Sequence, residues 1–231
     1  MRAFRRVQPR ELAGATRGVT LPCYYPSRPF AGALGCASCR HGSTCFFPED
    51  DLAKSGAKIL SSETLFRGKV FQLQRDTVIE PGGVQVERDI IVHPGSVVVL
   101  PVFPDGRVLL IRQYRHSIGE FLWELVAGRK EPNESPVSAA RRELAEETGY
   151  VAKRFRKLMR VVPTPGFVNE WMWIFAAEGL TQGVAHPEED EKITPRIFTL
   201  KHAEKMIERG TLRDAKSICG LLYYMRFVKR K

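Results

Sequence analysis

The sequence predicts an α/β protein in which a mixed sheet is sandwiched between helices over 96–231, preceded by a small β subdomain over 58–95 and a poorly ordered extension over 1–57. Three observations predict it. Apolar runs such as SVVVLPVF and RVLLIRQYR read as strands buried on both faces. A helix with a marked start and stop follows them, and further strands and helices then succeed one another to the C-terminus. With 231 residues, 43% of them hydrophobic, the chain can bury one substantial core besides an appendage. No run approaches the length of a transmembrane helix.

Residues 1–57 show no period of 3.6 or 2, scattered Pro and Gly, and five arginines before position 18. The start lacks the continuous apolar stretch of an export signal, so the expected compartment is the cytoplasm, although an arginine-rich, nearly acid-free beginning also resembles an organelle presequence. Four of the five cysteines, Cys23, Cys36, Cys39 and Cys45, fall here. A Cys-x2-Cys pair with two further thiols is a candidate zinc or iron–sulfur site, but the second Cys-x2-Cys of a zinc ribbon is missing, and bystander thiols are the favoured reading. The fifth, Cys219, lies in an apolar helical stretch and is expected in the core.

The charge is uneven. The formal net charge is +10, of which residues 1–60 carry +5 (nine basic, four acidic) and residues 201–231 carry +6 (nine basic, three acidic), leaving −1 between them. Basic ends around a neutral middle argue against nucleic acid as the main partner.

From Ser61 the segments LFRGKVFQLQRDTVI and VQVERDIIVH, joined by a Pro81-Gly82-Gly83 turn, read as a hairpin or small sheet. Two apolar strands joined by Pro104-Asp105-Gly106 follow. Ser135 then suits an N-cap, Pro136 the first helical position and Gly149 the residue past the end, so a helix is expected over 136–148. WMWIFAAEG and ITPRIFTL supply further strands, KHAEKMIER a helix stopped by Gly210, and AKSICGLLYYMRFV a closing helix.

The chemistry concentrates in 128–150, GRKEPNESPVSAARRELAEETGY. At 100° per residue, Glu143, Glu146 and Glu147 fall within roughly a 100° arc, while Val137, Ala140 and Leu144 gather on the flank that can pack inward. Three carboxylates that close raise one another's proton affinity unless a cation neutralises them, and oxygen-only ligands suit Mg²⁺ or Mn²⁺. Alone, an ELAEE run reads as a solvated acidic face.

The full spacing changes that reading. The segment resembles the Nudix signature, G-x5-E-x7-R-E-U-x-E-E-x-G-U with U an aliphatic or aromatic residue, at Gly128, Glu134, Arg142, Glu143, Leu144, Glu146, Glu147, Gly149 and Tyr150. The resemblance implies an α/β/α hydrolase that cleaves a nucleoside diphosphate linked to another moiety. It implies that the Ala127 carbonyl and Glu143, Glu146 and Glu147 hold Mg²⁺, with Gly128, Glu134, Arg142 and Gly149 supporting the loop and helix.

Outside the box, the leading hairpin subdomain, the order LPVFPDGRVLLIRQYRHSIGEFLWELVAG, the segment PTPGFVNE with Pro165 fifteen residues beyond Tyr150, PEEDEKI and LRDAKSICGLL look like the ADP-ribose pyrophosphatase branch. Val126 departs from the proline many relatives carry there. That branch implies Glu189 or Glu191 as the base that activates water, with Glu170 and Glu146 as alternatives. Arg112, Arg115, Glu124, Pro165, Gly166 and Phe167 are the expected substrate contacts, guanidinium forks being suited to phosphate oxygens. It further implies ADP-ribose as substrate, AMP and ribose 5-phosphate as products, and a homodimer. The alternatives are another nucleotide-sugar or dinucleotide pyrophosphatase and a non-catalytic ligand sensor. An NADH pyrophosphatase would need an SQPWPFPxS-type array after the box, which is absent.

Overall fold

The computed structural model describes residues 56–185 and 192–229. The four cysteines of the extension and the candidate bases Glu189 and Glu191 lie outside the described residues.

Three antiparallel strands, β1 (Lys58–Arg67), β2 (Gln72–Ile79) and β3 (Gln85–Val92), form a sheet of their own in that order. Of the hairpin or small sheet expected here, the structure has the small sheet: the first run is broken at 68–71, giving β1 and β2, and the Pro81-Gly82-Gly83 turn closes the β2–β3 hairpin. Its one deeply buried acid, Asp76, accepts from Ser62 Oγ at 2.6 Å and Gln74 Nε2 at 2.7 Å, so the desolvated carboxylate is satisfied.

The second sheet has β10 (Ile193–Thr199), β5 (Arg107–Arg115), β4 (Ser96–Val102), β9 (Met172–Gln182) and β8 (Tyr150–Val161) in that order. The short β6 (Glu120–Glu124) pairs with β5, and β7 (Val126–Arg129) with β4. All pairs are antiparallel except β4 with β9, so the sheet is mixed. Pro195 is tolerated because β10 is an edge strand.

The central strands are apolar at successive positions because both faces are covered. Val97, Val99, Leu109 and Ile111 pack with Ala139, Ala140 and Leu144 of α1 (Pro136–Thr148). Val98, Leu100, Val108 and Leu110 face the opposite way, against Leu200, Ala203 and Met206 of α2 (Leu200–Glu208) and Leu221 of α3 (Ala215–Tyr223). The result is three layers. None of the helices among the described residues is long and apolar enough to cross a membrane.

Three expectations are corrected. Val137 is 40% exposed: it shares the inward stripe in angle but sits in the first turn, ahead of the packed segment that begins at Ala139. Cys219 is exposed, because the buried face of the last helix runs through Ser217, Gly220, Leu221 and Tyr224, at helical spacing that leaves position 219 outside it. That helix also does not run on as one α-helix but ends in a π-helical turn, Tyr224–Val228.

The twelve-residue strand β8 has no counterpart in the sequence reading. A bulge between Lys157 and Met159 breaks its alternation, so that Ala152 packs on the α1 side and Leu158 on the other. The charges on its remaining positions blunt an outer edge.

Candidate active site

Helix α1 presents the glutamates because both of its ends are fixed. Ser135 Oγ accepts from the Ser138 N–H at 3.2 Å, Pro136 occupies the first position, and Gly149 closes the helix in the left-handed conformation (φ 73°), donating to the Ala145 carbonyl at 2.8 Å. A side chain at Gly149 would also press on the backbone of Val184 and Ala185.

One arginine organises the acids. Arg142 grips Glu134 with Nε at 3.2 Å and Nη2 at 3.1 Å, donates from Nη2 to the Arg129 carbonyl at 2.9 Å, and from Nη1 to Glu143 at 2.7 Å and Glu146 at 2.9 Å. These hydrogen bonds hold Glu134 below the usual carboxylate range and Arg142 well above its ordinary value. The loop 129–134 is thereby tied to the helix through one planar, permanently charged group.

Glu143 and Glu147 are buried on the packed edge of α1, against β7. Gly128 allows this, since a Cβ there would overlap the Glu143 carboxyl group. Glu147 accepts the Ala127 N–H at 3.3 Å.

Around these groups lies a cavity of about 330 Å³, lined by the acids Glu131, Glu143, Glu146 and Glu147, by Arg115, Arg129 and Arg142, by Ala127 and Gly128, and by Val70 from the β1–β2 connection. Among the described residues no three Asp, Glu, His or Cys side chains converge on one point, and Arg142 instead bridges Glu143 and Glu146. The all-oxygen donor set and the close glycine cradle nevertheless suit a hard divalent cation.

The other candidates divide. Arg115 reaches the cavity, held from behind by Glu124 through a two-pronged contact, Nε–Oε1 2.7 Å and Nη2–Oε2 2.8 Å. Glu124, expected at the substrate, is instead 1% exposed beneath Arg115 and is also paired to Lys216, which a second contact ties to Asp214 at 2.9 Å. A carboxylate so enclosed offers substrate no surface. Arg112 points elsewhere, its guanidinium 4.9 Å over the Phe121 ring.

Pro165, Gly166 and Phe167 form an exposed turn that does not line the cavity. The end of this turn and the residues after it hold the small sheet: the Phe167 carbonyl accepts the Ile91 N–H at 2.8 Å, and Asn169 both donates to the Ile91 carbonyl at 3.1 Å and accepts the His93 N–H at 2.8 Å. Glu170 accepts from Ser96 Oγ and lies 3.3 Å from His93 Nδ1, also off the cavity wall.

Sequence reasoning missed Arg129, Glu131 and Val70, which occupy variable positions of the box or a connection with no motif. It also gave no role to Asp214 and Lys216, although Asp214 followed by Ser217 carries a helix-start signal: Asp214 caps α3 by accepting the Ser217 N–H at 3.0 Å.

Residues 92–221 match the family model for the NUDIX domain. The chain is 36% identical over 168 residues to the ADP-ribose pyrophosphatase of Bacillus subtilis (strain 168), covering 72% of this chain and 91% of that protein. It is 35% identical over 175 residues to the ADP-ribose pyrophosphatase of Mycobacterium tuberculosis, covering 74% and 84%. A crystal structure of an ADP compounds hydrolase shares the fold, with a TM-score of 0.66 at 24% identity over 75% of this chain and 94% of that one.

Proposed function

The chain belongs to the Nudix family, and from that premise we propose that it hydrolyses the pyrophosphate bond of a nucleoside diphosphate derivative, converting ADP-ribose to AMP and ribose 5-phosphate. The likeness to ADP-ribose pyrophosphatases across most of their length carries this reading, and the acidic cavity against Gly128 supplies matching chemistry. A panel of nucleoside diphosphate derivatives, assayed with Mg²⁺ and read as released phosphomonoesters, tests it. The expected result is the highest kcat/KM for ADP-ribose; preference for a nucleotide sugar would overturn the substrate assignment.

Mg²⁺, replaceable by Mn²⁺, is the proposed cofactor, with Glu143, Glu146, Glu147 and the Ala127 carbonyl as the groups that would hold it. When bound, it supplies charge neutralisation of the diphosphate and a more acidic bound water. Arg142 fixes the orientation of Glu143 and Glu146. Arg115, with Nε and Nη2 engaged by Glu124, presents Nη1 as the donor for a phosphate oxygen.

Glu189 is proposed as the base that takes the proton from the attacking water, with Glu191 as its alternate. Glu189→Gln should lower kcat far more than it raises KM, because that contact is made in the transition state. Glu191→Gln should be partly rescued by raised Mg²⁺. Glu170→Gln should stay within a few-fold of wild type, as Ser96 and His93 hold Glu170 away from the cavity. Near-normal kcat in Glu189→Gln would move the base to Glu146.

A homodimer is also proposed. β1 is an edge strand exposed along all ten residues, among them Ile59, Leu60, Leu65 and Phe66, and such an edge invites pairing with a second copy. Sedimentation should give about twice the 26.1 kDa of the chain; a monomer at micromolar concentration would remove the dimer from the proposal.

A further inference from the structure

A second cavity, of about 380 Å³, lies on the α2 side of the large sheet, the face opposite α1 and its glutamates. Its volume falls within the range of small-molecule sites, roughly 300–1,000 Å³. Two kinds of group build it. Trp123 of β6, Phe198 of β10 and His202 of α2 make an aromatic wall, with Trp123 edge-on to Phe198 at 5.1 Å and Phe198 beside His202 at 5.2 Å between ring centres. Arg196, Lys205 and Arg209 add three basic groups.

The local structure explains the convergence. Arg196 and Phe198 are two residues apart on an edge strand and share a face, and His202 and Lys205 of α2 and Arg209, its C-cap residue, recur at three- and four-residue steps. No acidic residue lines the cavity: Glu204 and Glu208, the two acids of α2, are not part of its wall. Among the described residues, Arg196, Lys205 and Arg209 make no ion pair; Arg196 instead lies 5.9 Å over the Trp123 ring. A concavity lined by one sign of charge focuses its field and concentrates counter-ions. The carboxylate cavity is mixed in sign, since four acids there meet three arginines.

An anion alone would use the cations but leave the half-buried faces of Trp123 and Phe198 idle. A ligand that joins a phosphate to a flat ring would use both, because guanidinium forks match phosphate oxygens and aromatic side chains stack on bases. We propose that this cavity is a second ligand site, separate from the hydrolytic one, that takes a nucleoside monophosphate, with the phosphate against Arg196, Lys205 and Arg209 and the base against the Trp123–His202 wall.

The experiment uses the full chain with AMP as probe and EDTA present. Tryptophan emission is followed in W171F/W173F, which leaves Trp123 as the reporter, and equilibrium dialysis of labelled AMP on the unsubstituted chain measures the same binding without relying on that variant. The expected result is saturable binding by both methods, a Kd at least tenfold higher in R196Q/R209Q, and a Kd within twofold of wild type in Glu147→Gln. Absence of saturable binding, or an unchanged Kd in R196Q/R209Q, overturns the site. Loss of binding in Glu147→Gln places AMP in the carboxylate cavity and overturns it equally. Inorganic phosphate binding as tightly as AMP would remove the ring from the proposal. None of these outcomes depends on which diphosphate the enzyme cleaves.

Discussion

Glu147→Gln is expected to lower kcat/KM by roughly a thousandfold, about 4 kcal/mol of barrier at 1.36 kcal/mol per decade, while the thermal midpoint stays within a few degrees of wild type. The side chain is 4% exposed and accepts the Ala127 N–H. A glutamine oxygen can accept the same bond in the same volume, so the fold loses little. What disappears is a negative charge among the proposed cation ligands. Steady-state kinetics over a range of Mg²⁺, with a melting curve alongside, checks both halves; activity within tenfold of wild type would sink the assignment of Glu147 to the metal.

Glu124→Ala should be the most damaging change away from the reacting groups. Glu124 sits buried between Arg115 and Lys216, and its removal leaves the partly desolvated Arg115 without its carboxylate partner and Lys216 with Asp214 alone. Breaking a buried pair costs about 3–5 kcal/mol, and since Arg115 is 35% exposed and so partly screened, the lower end applies, about 3 kcal/mol. For a domain of this size that corresponds to a melting point lower by about 6–12 °C. Burial by itself pushes the Glu124 carboxyl up, but hydrogen bonding to Arg115 and the charges of Lys216 and Arg115 outweigh it and hold it below its ordinary value of 4.5. A carboxyl depressed in the folded state stabilises the fold fully above that ordinary value, and the contribution is lost as pH falls from there through the folded value. Wild type should therefore lose stability relative to Glu124→Ala in that acidic window. Equal acid sensitivity of the two proteins, measured by denaturant titration from pH 6 to 3, would contradict the role of the pair.

The parts of the molecule that were legible in the sequence are those written in local code. Helix α1 is bounded by Ser135, Pro136 and Gly149, whose side-chain and backbone preferences act over one turn, and its observed bounds, Pro136–Thr148, are those the caps imply. The two central strands were legible because burial on both faces leaves uninterrupted apolar runs. β8 was not, because its bulge destroys the alternation that marks a strand.

The site divides in the same way. The gathering of Glu143, Glu146 and Glu147 follows from helical geometry. The path from Arg115 through Glu124 to Lys216 does not, since its members lie nine and ninety-two positions apart: the first pair meets through the β5–β6 pairing and the second only when α3 folds onto β6. Glu124 was expected at the substrate only through the resemblance to the ADP-ribose pyrophosphatase branch, and nothing in its local sequence marks the buried pair. The PTPGFVNE turn likewise drew attention through its motif, while the role visible in its structure lies in the backbone hydrogen bonds to Ile91.

The parallel pairing of β4 with β9 has a consequence for how the enzyme comes into being. Ser96 registers with Met172, so this join links positions 76 apart, and the whole glutamate helix lies within the intervening chain. Closing so long a segment is entropically slow compared with forming a hairpin such as β2–β3. No residue lining the carboxylate cavity comes from β9, but β7, which borders it, is paired to β4, and β4 reaches its place beside β9 only when the long closure is made. During refolding, hydrolytic activity should return with the slowest phase, behind the early gain of sheet signal, and a nascent chain should gain activity only after β9, well beyond the Nudix box, has emerged.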